Sequence, residues 1–352
     1  MDLEKLEEIL KDEPKFRLQQ AKQAIFKNLI GNWQEAISLP QALREKLNQE
    51  CPLEIKAEVL SAQDRQSQKA VVTLADGFLI ETVLMRHKDG RATVCVSSQV
   101  GCPVGCLFCL TGKLGFKRNL TSMEIVEQVL LWARMLNKDG DRVSNIVFMG
   151  MGEPLLNYEN VMEAVKILNS KSGLNIGIRH ISISTVGITE GIKKLAAETI
   201  RPNLALSLHA TNDQLRNKMI PLAENYSLAD LTRALDYYIK KTKQRVMFEY
   251  LMLKDYNDSE GQAGELARFV AQFQRPSGFP KGRNFYFVNL IAYNPTAEQQ
   301  SYGFSASLPE RIQKFKAILK EAGIEVVQRY KFGRDIKGAC GQLAGKNISN
   351  KL

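Results

Sequence analysis

The length, composition and charge of the chain indicate a large globular protein with an anionic partner. Its 352 residues suffice for two domains, or for one large domain with an appendage. No apolar run reaches the roughly 18–20 residues of a membrane span, and the acidic start of the chain resembles neither a signal peptide nor a transit peptide, so we expect a cytoplasmic protein without membrane insertion. A net charge of +10 and a pI near 9.2 favour nucleic acid as the partner, although solubility alone is a competing explanation.

The first part of the chain changes from a helical to a strand period. Residues 1–50 carry apolar side chains at helical spacing, such as Leu3, Leu6 and Leu10, and predict a small helical accessory domain. Residues 51–92 alternate as strands, with Asp76-Gly77 as a hairpin turn, and predict a β extension. Glu81 lies in the last of these strands, where an acidic residue usually faces solvent.

From residue 93 to about residue 330, strands and helices alternate. The strands are short, rich in Val and Ile and apolar on both faces, which is typical of a parallel sheet covered on both sides. Counting ATVCVSSQ as the first strand gives about six βα units before the final strand, so we predict an α/β fold with an open, partial (β/α)6 barrel. Capping boxes at Thr121 with Glu124, and at Ser307 with Glu310, predict two helix starts.

Three of the six cysteines, Cys102, Cys106 and Cys109, stand at CxxxCxxC spacing on a Gly-containing loop. In a reducing compartment, cysteines indicate metal binding or catalysis before structural disulfides. Thiolates this close can hold a cubane iron–sulfur cluster, and three ligands would leave one iron without a protein ligand. The alternatives are cysteines that only pack, or structural zinc, which usually takes four ligands; the nearest further candidates in sequence are Cys95 and His87.

Polar residues follow several predicted strands at their C-terminal ends, where the chemistry of barrel enzymes usually gathers. Each is a weak signal alone, because a Gly-x-Gly is more often a tight turn and a lone histidine is more often buried and satisfied. Together they predict a polar ring around the barrel mouth from which the cysteine loop also leaves. The members of this ring are Gly152, Glu153, Ser184, Ser207, Leu208, His209 and Asn294.

The tail, residues 331–352, carries Cys340 between small residues in GACGQLAG. Such a cysteine is predicted to be mobile and accessible, as a reactive thiol must be. Nearby cations would lower its pKa and attract phosphates, while the alternative is a disordered basic tail with an incidental cysteine. The cations around it are Arg329, Lys331, Arg334, Lys337, Lys346 and Lys351, against one acid, Asp335.

Seven motifs in order resemble the RlmN/Cfr family of radical S-adenosylmethionine (SAM) RNA methyltransferases, and RlmN more than Cfr. They are CVSSQVGCPVGCLFC, GFKRNLTSMEI, FMGMGEPLLNYENV, ISISTVGI, LALSLHA, VNLIAYNP and GACGQLAG. The resemblance implies a radical SAM barrel, a [4Fe–4S] cluster on Cys102, Cys106 and Cys109, and SAM bound by the polar ring. Pro103, Val104 and Leu110 in the cysteine loop, and residues 222–224, depart from the family pattern.

The resemblance also implies a reaction that uses SAM twice per turnover to methylate an sp2 carbon of adenine, carbon 2 in RlmN and carbon 8 in Cfr. One SAM would methylate Cys340, and a second would yield a 5′-deoxyadenosyl radical that activates this methyl group for addition to the ring. Cys95 would then attack Cys340, releasing the product and leaving a transient disulfide. Glu81 matches the proton acceptor, with Cys95 as its rival.

The implied partners are 23S rRNA or its precursor, the anticodon loop of tRNA, and an electron donor that reduces the cluster and the disulfide; we expect a monomer. An adenine that reacts inside a buried site must be unpaired. Three alternatives stay open on the residues alone. They are methylation at carbon 8, a radical SAM enzyme acting on a small molecule or protein, and an iron–sulfur electron carrier that binds RNA.

Overall fold

The computed structural model of the protein describes residues 1–273, 285–296, 299, 303–329, 333 and 335–344. Four of the basic tail residues named above lie outside these ranges, and so does the end of the chain from residue 345 onward. The outlying cations are Lys331, Arg334, Lys346 and Lys351.

The chain begins with the predicted helices, α1 (Leu3–Ile9), α2 (Phe16–Phe26) and α3 (Gln41–Glu50), with a short 3-10 turn at Trp33–Glu35. Their apolar faces meet around the Trp33 side chain, which is fully buried and donates a hydrogen bond from Nε1 to the carbonyl oxygen of Cys51 at 2.7 Å. An indole buried with its N–H satisfied contributes a large apolar area without a polar cost.

A single mixed sheet follows, with ten strands among the described residues, in the order β1-β2-β3-β4-β7-β8-β9-β10-β11-β12. The first four strands pair antiparallel, and from β4 onward every pairing is parallel. The strands are β1 (Ala57–Ser61), β2 (Ser67–Thr73), β3 (Leu79–Arg86), β4 (Ala92–Cys95), β7 (Asn145–Phe148), β8 (Ile181–Thr185), β9 (Asn203–Ser207), β10 (Val246–Met252), β11 (Tyr286–Ala292) and β12 (Val326–Gln328).

The parallel half of the sheet is an open, partial barrel, as predicted. Two short strands, β5 (Gln99–Gly101) and β6 (Phe116–Asn119), form a separate hairpin that brackets the cysteine loop. Along the chain, helices follow the parallel strands that precede β12. They are α4 (Leu110–Lys113), α5 (Ser122–Lys138), α6 (Tyr158–Asn169), α7 (Thr189–Ala197), α8 (Asp213–Met219), α9 (Leu228–Thr242), α10 (Glu260–Ala271) and α11 (Pro309–Glu321).

The predicted β extension is the antiparallel wing of this same sheet, because β3 pairs with β4 through Val83 opposite Cys95. We keep the name wing for strands β1 to β3. One apolar core runs from the N-terminal helices through the barrel. None of the helices in the described ranges is long and apolar enough to cross a membrane.

The two predicted helix starts have different outcomes. The capping box of α5 is confirmed, since Thr121 accepts from the backbone N–H of Glu124 and the Glu124 side chain accepts in return. The box at Ser307 is wrong, because α11 begins at Pro309 with Leu308 as its N-cap and no side-chain cap. Proline has the backbone angle of a first helical residue already built in, and this fixes the start of the helix one residue later than predicted.

Candidate active site

A cavity of about 150 Å³ opens at the C-terminal ends of the parallel strands. Nine residues predicted as functional line it, and they come from five separate stretches of the chain. They are Cys102, Cys106, Cys109, Gly152, Glu153, Ser184, Ser207, His209 and Cys340. Four others, Cys95, Glu81, Leu208 and Asn294, lie outside its lining.

Parallel pairing brings the polar strand ends together. The hydroxyl oxygens of Ser184 on β8 and Ser207 on β9 are 3.1 Å apart, and Ser207 stands beside Glu249 in the register of β9 and β10. Neighbouring parallel strands end at the same edge, so polar residues at their ends converge without being near in sequence. The result is a row of hydrogen-bonding groups along one wall of the cavity.

The cysteine loop is held at both ends by backbone contacts. Cys102 donates its N–H to the carbonyl of Gly115 at 3.0 Å, and Leu107 donates to the carbonyl of Met219 at 3.0 Å. Burial, with smaller contributions from the Cys109 and Glu153 charges, raises the pKa of the Cys102 thiol to about 12, while the N–H of Val104 opposes the shift. Burial and the neighbouring thiols likewise raise the pKa of Cys106. Desolvated thiols that crowd one another need a cation before they can exist as thiolates, so this donor set suits a metal centre.

The three thiols of the cysteine loop line one cavity as separate donors. In the ranges that the structure describes, no three His, Cys, Asp or Glu side chains converge on a point where one metal ion could sit. Each thiolate of a cubane cluster binds a different iron, so its sulfurs need not converge in that way. The three cysteines nevertheless line one cavity together, which is the arrangement that a cubane requires.

Glu153 is a buried carboxylate held by backbone donors. Its Oε1 accepts from the N–H of Leu155 at 3.0 Å and its Oε2 accepts from the N–H of Val186 at 2.8 Å. Burial raises its pKa to about 7, although these two N–H groups oppose the shift. A carboxylate fixed beside the cysteines is suited to hold the ammonium group of a ligand.

The Gly-x-Gly before Glu153 is required by close contact with the chain after β4. A Cβ on Gly150 would lie 2.7 Å from the carbonyl oxygen of Val96. A Cβ on Gly152, whose φ is +103°, would lie 2.7 Å from Cβ of Gln99. Neither position has room for a side chain, so the two glycines let the Glu153 loop pack directly on the root of the cysteine loop.

His209 is buried, lines the cavity and has a φ of +59°, which is uncommon for a residue with a side chain. Its Nδ1 faces the backbone N–H of Leu251 at 3.1 Å, and its ring meets the edge of Phe108 with centroids 5.2 Å apart. Burial lowers its pKa to about 3, with Arg216 adding to the effect, so the imidazole is neutral.

Leu208 and Asn294 contribute differently from the sequence expectation. Leu208 is fully buried and donates its backbone N–H to the carbonyl of Glu249 at 3.1 Å. Asn294 donates from Nδ2 to the carbonyl of Ala292 at 3.0 Å, and its own carbonyl accepts from Gln342 Nε2 at 2.7 Å. Asn294 therefore contacts the segment that carries Cys340.

Cys340 is exposed, as predicted, but the chain around it is held in place. The carbonyl of Gly341 accepts from the N–H of Leu110 at 2.8 Å and from Gln299 Nε2 at 2.9 Å. The carbonyl of Leu343 accepts from the Thr111 hydroxyl at 2.7 Å. The backbone N–H of Leu110 and the Thr111 hydroxyl, at the start of α4, thus give this segment defined partners, while its mobility stays a prediction. A thiol held beside the cysteine loop is better placed for a defined reaction than a free one.

Cys95 lies at the end of β4 and is 8% exposed. Burial, with a smaller contribution from Cys340, raises the pKa of its thiol to about 12, while the N–H of Met149 and the charge of Arg329 oppose the shift. The two cysteines are therefore close enough to influence each other electrostatically, although only Cys340 lines the cavity.

The sequence analysis missed two features of the site. It did not identify Glu249, and it named Arg329 only as a cation near Cys340. Glu249 is 2% exposed and lines the cavity; its Oε1 accepts from Asn289 Nδ2 at 2.9 Å and from Arg329 Nη2 at 3.0 Å. Burial lowers the pKa of Arg329, but Glu249, Cys340 and Cys95 raise it by more. An acid in the middle of the apolar strand RVMFEYLML was the signal that could have found Glu249, but not its partner.

Glu81 is buried in the wing and has a partner for each carboxylate oxygen. Its Oε1 lies 3.1 Å from Lys69 Nζ, and its Oε2 accepts from the backbone N–H of Ala344 at 2.9 Å. The expectation of a solvated acid on this strand is wrong, because Glu81 is 2% exposed and contacts residues 335–344, which we call the Cys340 segment.

The radical SAM superfamily model matches residues 96–267, which span the cysteine loop and the strand ends described above. The chain is 42% identical to "Probable dual-specificity RNA methyltransferase RlmN" of Dictyoglomus thermophilum, covering 99% of this chain and 97% of that protein. It is 41% identical to the protein of the same name in Chloroflexus aurantiacus, covering 98% and 92%. The chain belongs to the RlmN family of radical SAM RNA methyltransferases.

The structure of this RlmN family chain is similar to a crystal structure of a radical SAM methyltransferase from Sphaerobacter thermophilus. The TM-score is 0.89 at 40% sequence identity, and the match covers 98% of both chains. Membership confirms the recognised family, the radical SAM barrel and the enzyme class. The cofactors of this RlmN family protein are a [4Fe–4S] cluster and SAM, which the cysteines and the polar strand ends fit.

Proposed function

We propose that this RlmN family enzyme methylates carbon 2 of an adenosine in 23S rRNA and in tRNA, through a methyl group carried on Cys340. The observation that carries the proposal is that the exposed Cys340 lines the same cavity as Cys102, Cys106 and Cys109. The relatives are named dual-specificity RNA methyltransferases, and this supports two RNA substrates for the present chain. Both RNAs are cytoplasmic, so we place the enzyme there, as a monomer.

In this proposal Cys102, Cys106 and Cys109 hold the cluster, while SAM lies along the strand ends. Glu153 receives the ammonium group, and the remaining ring members, Gly152, Ser184, Ser207, Leu208, His209 and Asn294, contribute backbone, hydroxyl, imidazole and amide groups. When bound, the cluster and SAM supply a 5′-deoxyadenosyl radical that takes hydrogen from the methyl group on sulfur. The protein contributes aim and shielding, as it does with other reactive cofactors.

The two reactive cysteines have different roles: Cys340 carries the methyl group, and Cys95 releases the product. The Cys340 thiolate would attack the methyl carbon of SAM, so that a sulfur–carbon bond forms on Cys340 while S-adenosylhomocysteine leaves; the resulting thioether later carries the adenine as a covalent adduct. Cys95 then attacks the Cys340 sulfur as a thiolate, the carbon–sulfur bond breaks to release methylated RNA, and a disulfide remains. That disulfide needs two electrons before the next turnover, so an electron donor is a required partner.

Removal of the adenine proton falls to Glu81 or Cys95. A Cys95 thiol with a pKa of about 12 is protonated at neutral pH and must lose its own proton before it can accept another. The Glu81 carboxylate is occupied by Lys69 and by the N–H of Ala344. Glu81 must therefore leave the Ala344 N–H before it can take this proton directly.

The target adenosine must be unpaired, because a cavity of about 150 Å³ at the barrel mouth does not admit a base inside a helix. The net charge of +10 favours contact with the phosphates of the flanking nucleotides. Binding should therefore weaken by about tenfold or more between 50 mM and 200 mM salt, since released counterions drive it.

Nucleoside mass spectrometry tests the proposal. Anaerobically reconstituted protein is incubated with SAM, a reductant and either 23S rRNA fragments or tRNA, and digests are compared with 2-methyladenosine and 8-methyladenosine standards. We expect 2-methyladenosine with the wild-type protein and none with Cys340→Ala, whose iron content is unchanged. A product that matches the 8-methyl standard, or methylation by Cys340→Ala, contradicts the proposal. We further expect Cys95→Ala to accumulate RNA covalently attached through Cys340.

A further inference from the structure

A buried ion pair in the wing lies beneath the segment that carries Cys340. The side chains of Lys69 on β2 and Glu81 on β3 are 5% and 2% exposed, and Lys69 Nζ is 3.1 Å from Glu81 Oε1. Lys69 stands opposite Val83 and Glu81 opposite Val71, so the two charged residues are diagonal neighbours on one face of the sheet. Charges buried this deeply persist only when each has a partner, which leaves the pair with a defined geometry.

Both ends of the Cys340 segment contact this pair. The backbone N–H of Ala344 donates to Glu81 Oε2 at 2.9 Å, and Lys69 Nζ donates to the carbonyl of Lys337 at 3.5 Å. The first contact is short and buried, and the second is at the long end of the hydrogen-bond range. Cys340 lies between these two points, three residues after Lys337 and four before Ala344.

We propose that Lys69 and Glu81 are positioning residues that hold the Cys340 segment at the mouth of the cavity. The proposal rests on the proposed function only in taking Cys340 as the methyl acceptor. The contacts of Gly341 and Leu343 with α4 fix one side of the segment, and the ion pair fixes the side that faces the wing. With both sides fixed, the sulfur of Cys340 samples a small volume next to the cysteine loop, and small losses of such alignment slow reactions strongly.

This role is distinct from removal of the adenine proton, for which Glu81 would first have to leave the Ala344 N–H. Its Oε2 is engaged by a backbone N–H and its Oε1 by Lys69, so the carboxylate acts through the chain of the Cys340 segment. Lys69 Nζ lies 3.1 Å from the other carboxylate oxygen and balances its charge, and a carboxylate accepts a stronger hydrogen bond than a neutral group. Lys69, which no pattern in the sequence marks, is thereby assigned a part in the reaction.

Two substitutions test the proposal, one in the Cys340 segment and one in the wing. Ala344→Pro removes the donor N–H and also fixes the backbone angle φ at this position, and Ala344→Gly, which keeps the N–H, is the control. Lys69→Met removes the ammonium group and keeps the length of the side chain. All variants are prepared as full-length, anaerobically reconstituted holoenzyme, and circular dichroism establishes that each is folded; if Lys69→Met does not fold, Ala344→Pro decides.

Three quantities are measured for each variant in the absence of RNA. They are the amide hydrogen exchange of residues 337–344, the rate of Cys340 methylation by SAM, followed by intact-protein mass spectrometry, and the SAM dissociation constant. In Ala344→Pro and Lys69→Met we expect exchange to be about tenfold faster and methylation about tenfold slower, as loss of one charge-assisted hydrogen bond predicts. Iron content and the SAM dissociation constant stay at the wild-type values, and Ala344→Gly matches the wild type throughout.

Wild-type exchange in Ala344→Pro overturns the proposal, because the contact would then not order the segment. Faster exchange with a wild-type methylation rate overturns it too, since the contact would order the chain without placing the thiol. Failure of the proposed function is a different result. In that case wild-type protein never gains a methyl group on Cys340, while the exchange data still report whether the ion pair holds the segment.

Discussion

The backbone N–H of Leu251 donates a hydrogen bond to Nδ1 of His209 over 3.1 Å. The acceptor nitrogen carries no proton, and burial lowers the pKa of this imidazole to about 3, so the ring is neutral with its proton on Nε2. A protonated Nε2 can donate a hydrogen bond but cannot coordinate a metal. His209 lines the cavity of the three cysteines and yet is barred from being the fourth ligand of their cluster.

His209→Asn should therefore keep the cluster and weaken SAM binding. Asparagine tolerates the left-handed backbone of this position, where φ is +59°, so the fold is preserved. We expect unchanged iron and sulfide per chain and a SAM dissociation constant raised by a factor of about 3–10, the usual effect of one lost hydrogen bond. Iron analysis and equilibrium dialysis provide the two readings, and loss of iron would identify His209 as a ligand after all.

Removing one cysteine of the CxxxCxxC loop should abolish the cluster, whereas removing a buried cysteine elsewhere should not. Cys106→Ala leaves two thiolates, too few for a cubane, so we expect loss of its visible absorbance and of most iron. Cys51→Ala is the matched control, because Cys51 is buried among the N-terminal helices and its thiol donates to the carbonyl of Asp2 at 3.3 Å, far from the cysteine loop in sequence. Zinc in place of iron in the anaerobically prepared wild-type protein would contradict the cluster assignment.

Sequence reasoning succeeded where local chemistry decides the structure. The α5 capping box, the parallel strands and the convergence of the strand ends follow from residue types and periodicity that the fold does not override. The start of α11 was misjudged because Pro309 competes with Ser307 for the first turn, and backbone preference decided the outcome.

The missed features all depend on contacts between residues far apart in the chain. Glu81 appeared solvated because its cover, the Cys340 segment, lies 263 positions later. Glu249 and Arg329 meet across strands β10 and β12, a pairing that no spacing reveals. The held conformation of residues 335–344 likewise depends on Thr111 and Leu110 from the cysteine loop region. A single sequence without relatives carries no signal for such pairs.

Gly152→Ala should damage the site, and Gly140→Ala should not. A Cβ at Gly152 would lie 2.7 Å from both Ser98 Oγ and Gln99 Cβ, on a backbone with φ of +103°, so the Glu153 loop must shift. We expect a loss of about 1–3 kcal/mol in stability and a weaker SAM affinity. Gly140, with φ of +74° and open space around it, carries only the conformational cost of about 1 kcal/mol. Urea unfolding and SAM binding separate the two variants.

The reactivity of Cys95 should rise with pH well beyond the range of an ordinary thiol. Burial raises its pKa from 9.0 to about 12, so below pH 11 each unit of pH increases the thiolate fraction, and hence alkylation by iodoacetamide, about tenfold. In urea the rate should level off above pH 9, because the unfolded thiol has its ordinary pKa.

Arg329→Met provides a second test of the Cys95 pKa, because the positive charge of Arg329 lowers that pKa. Its removal should raise that pKa further and slow alkylation of Cys95 at every pH below 11, while Cys51 in the same digest reacts at an unchanged rate. The slope against pH is informative even though Cys95 is only 8% exposed, because steric protection lowers the rate by a constant factor. A native-state rate that levels off near pH 9 would show that burial does not suppress the thiolate, and Cys95 would then be available as a base at lower pH than the structure indicates.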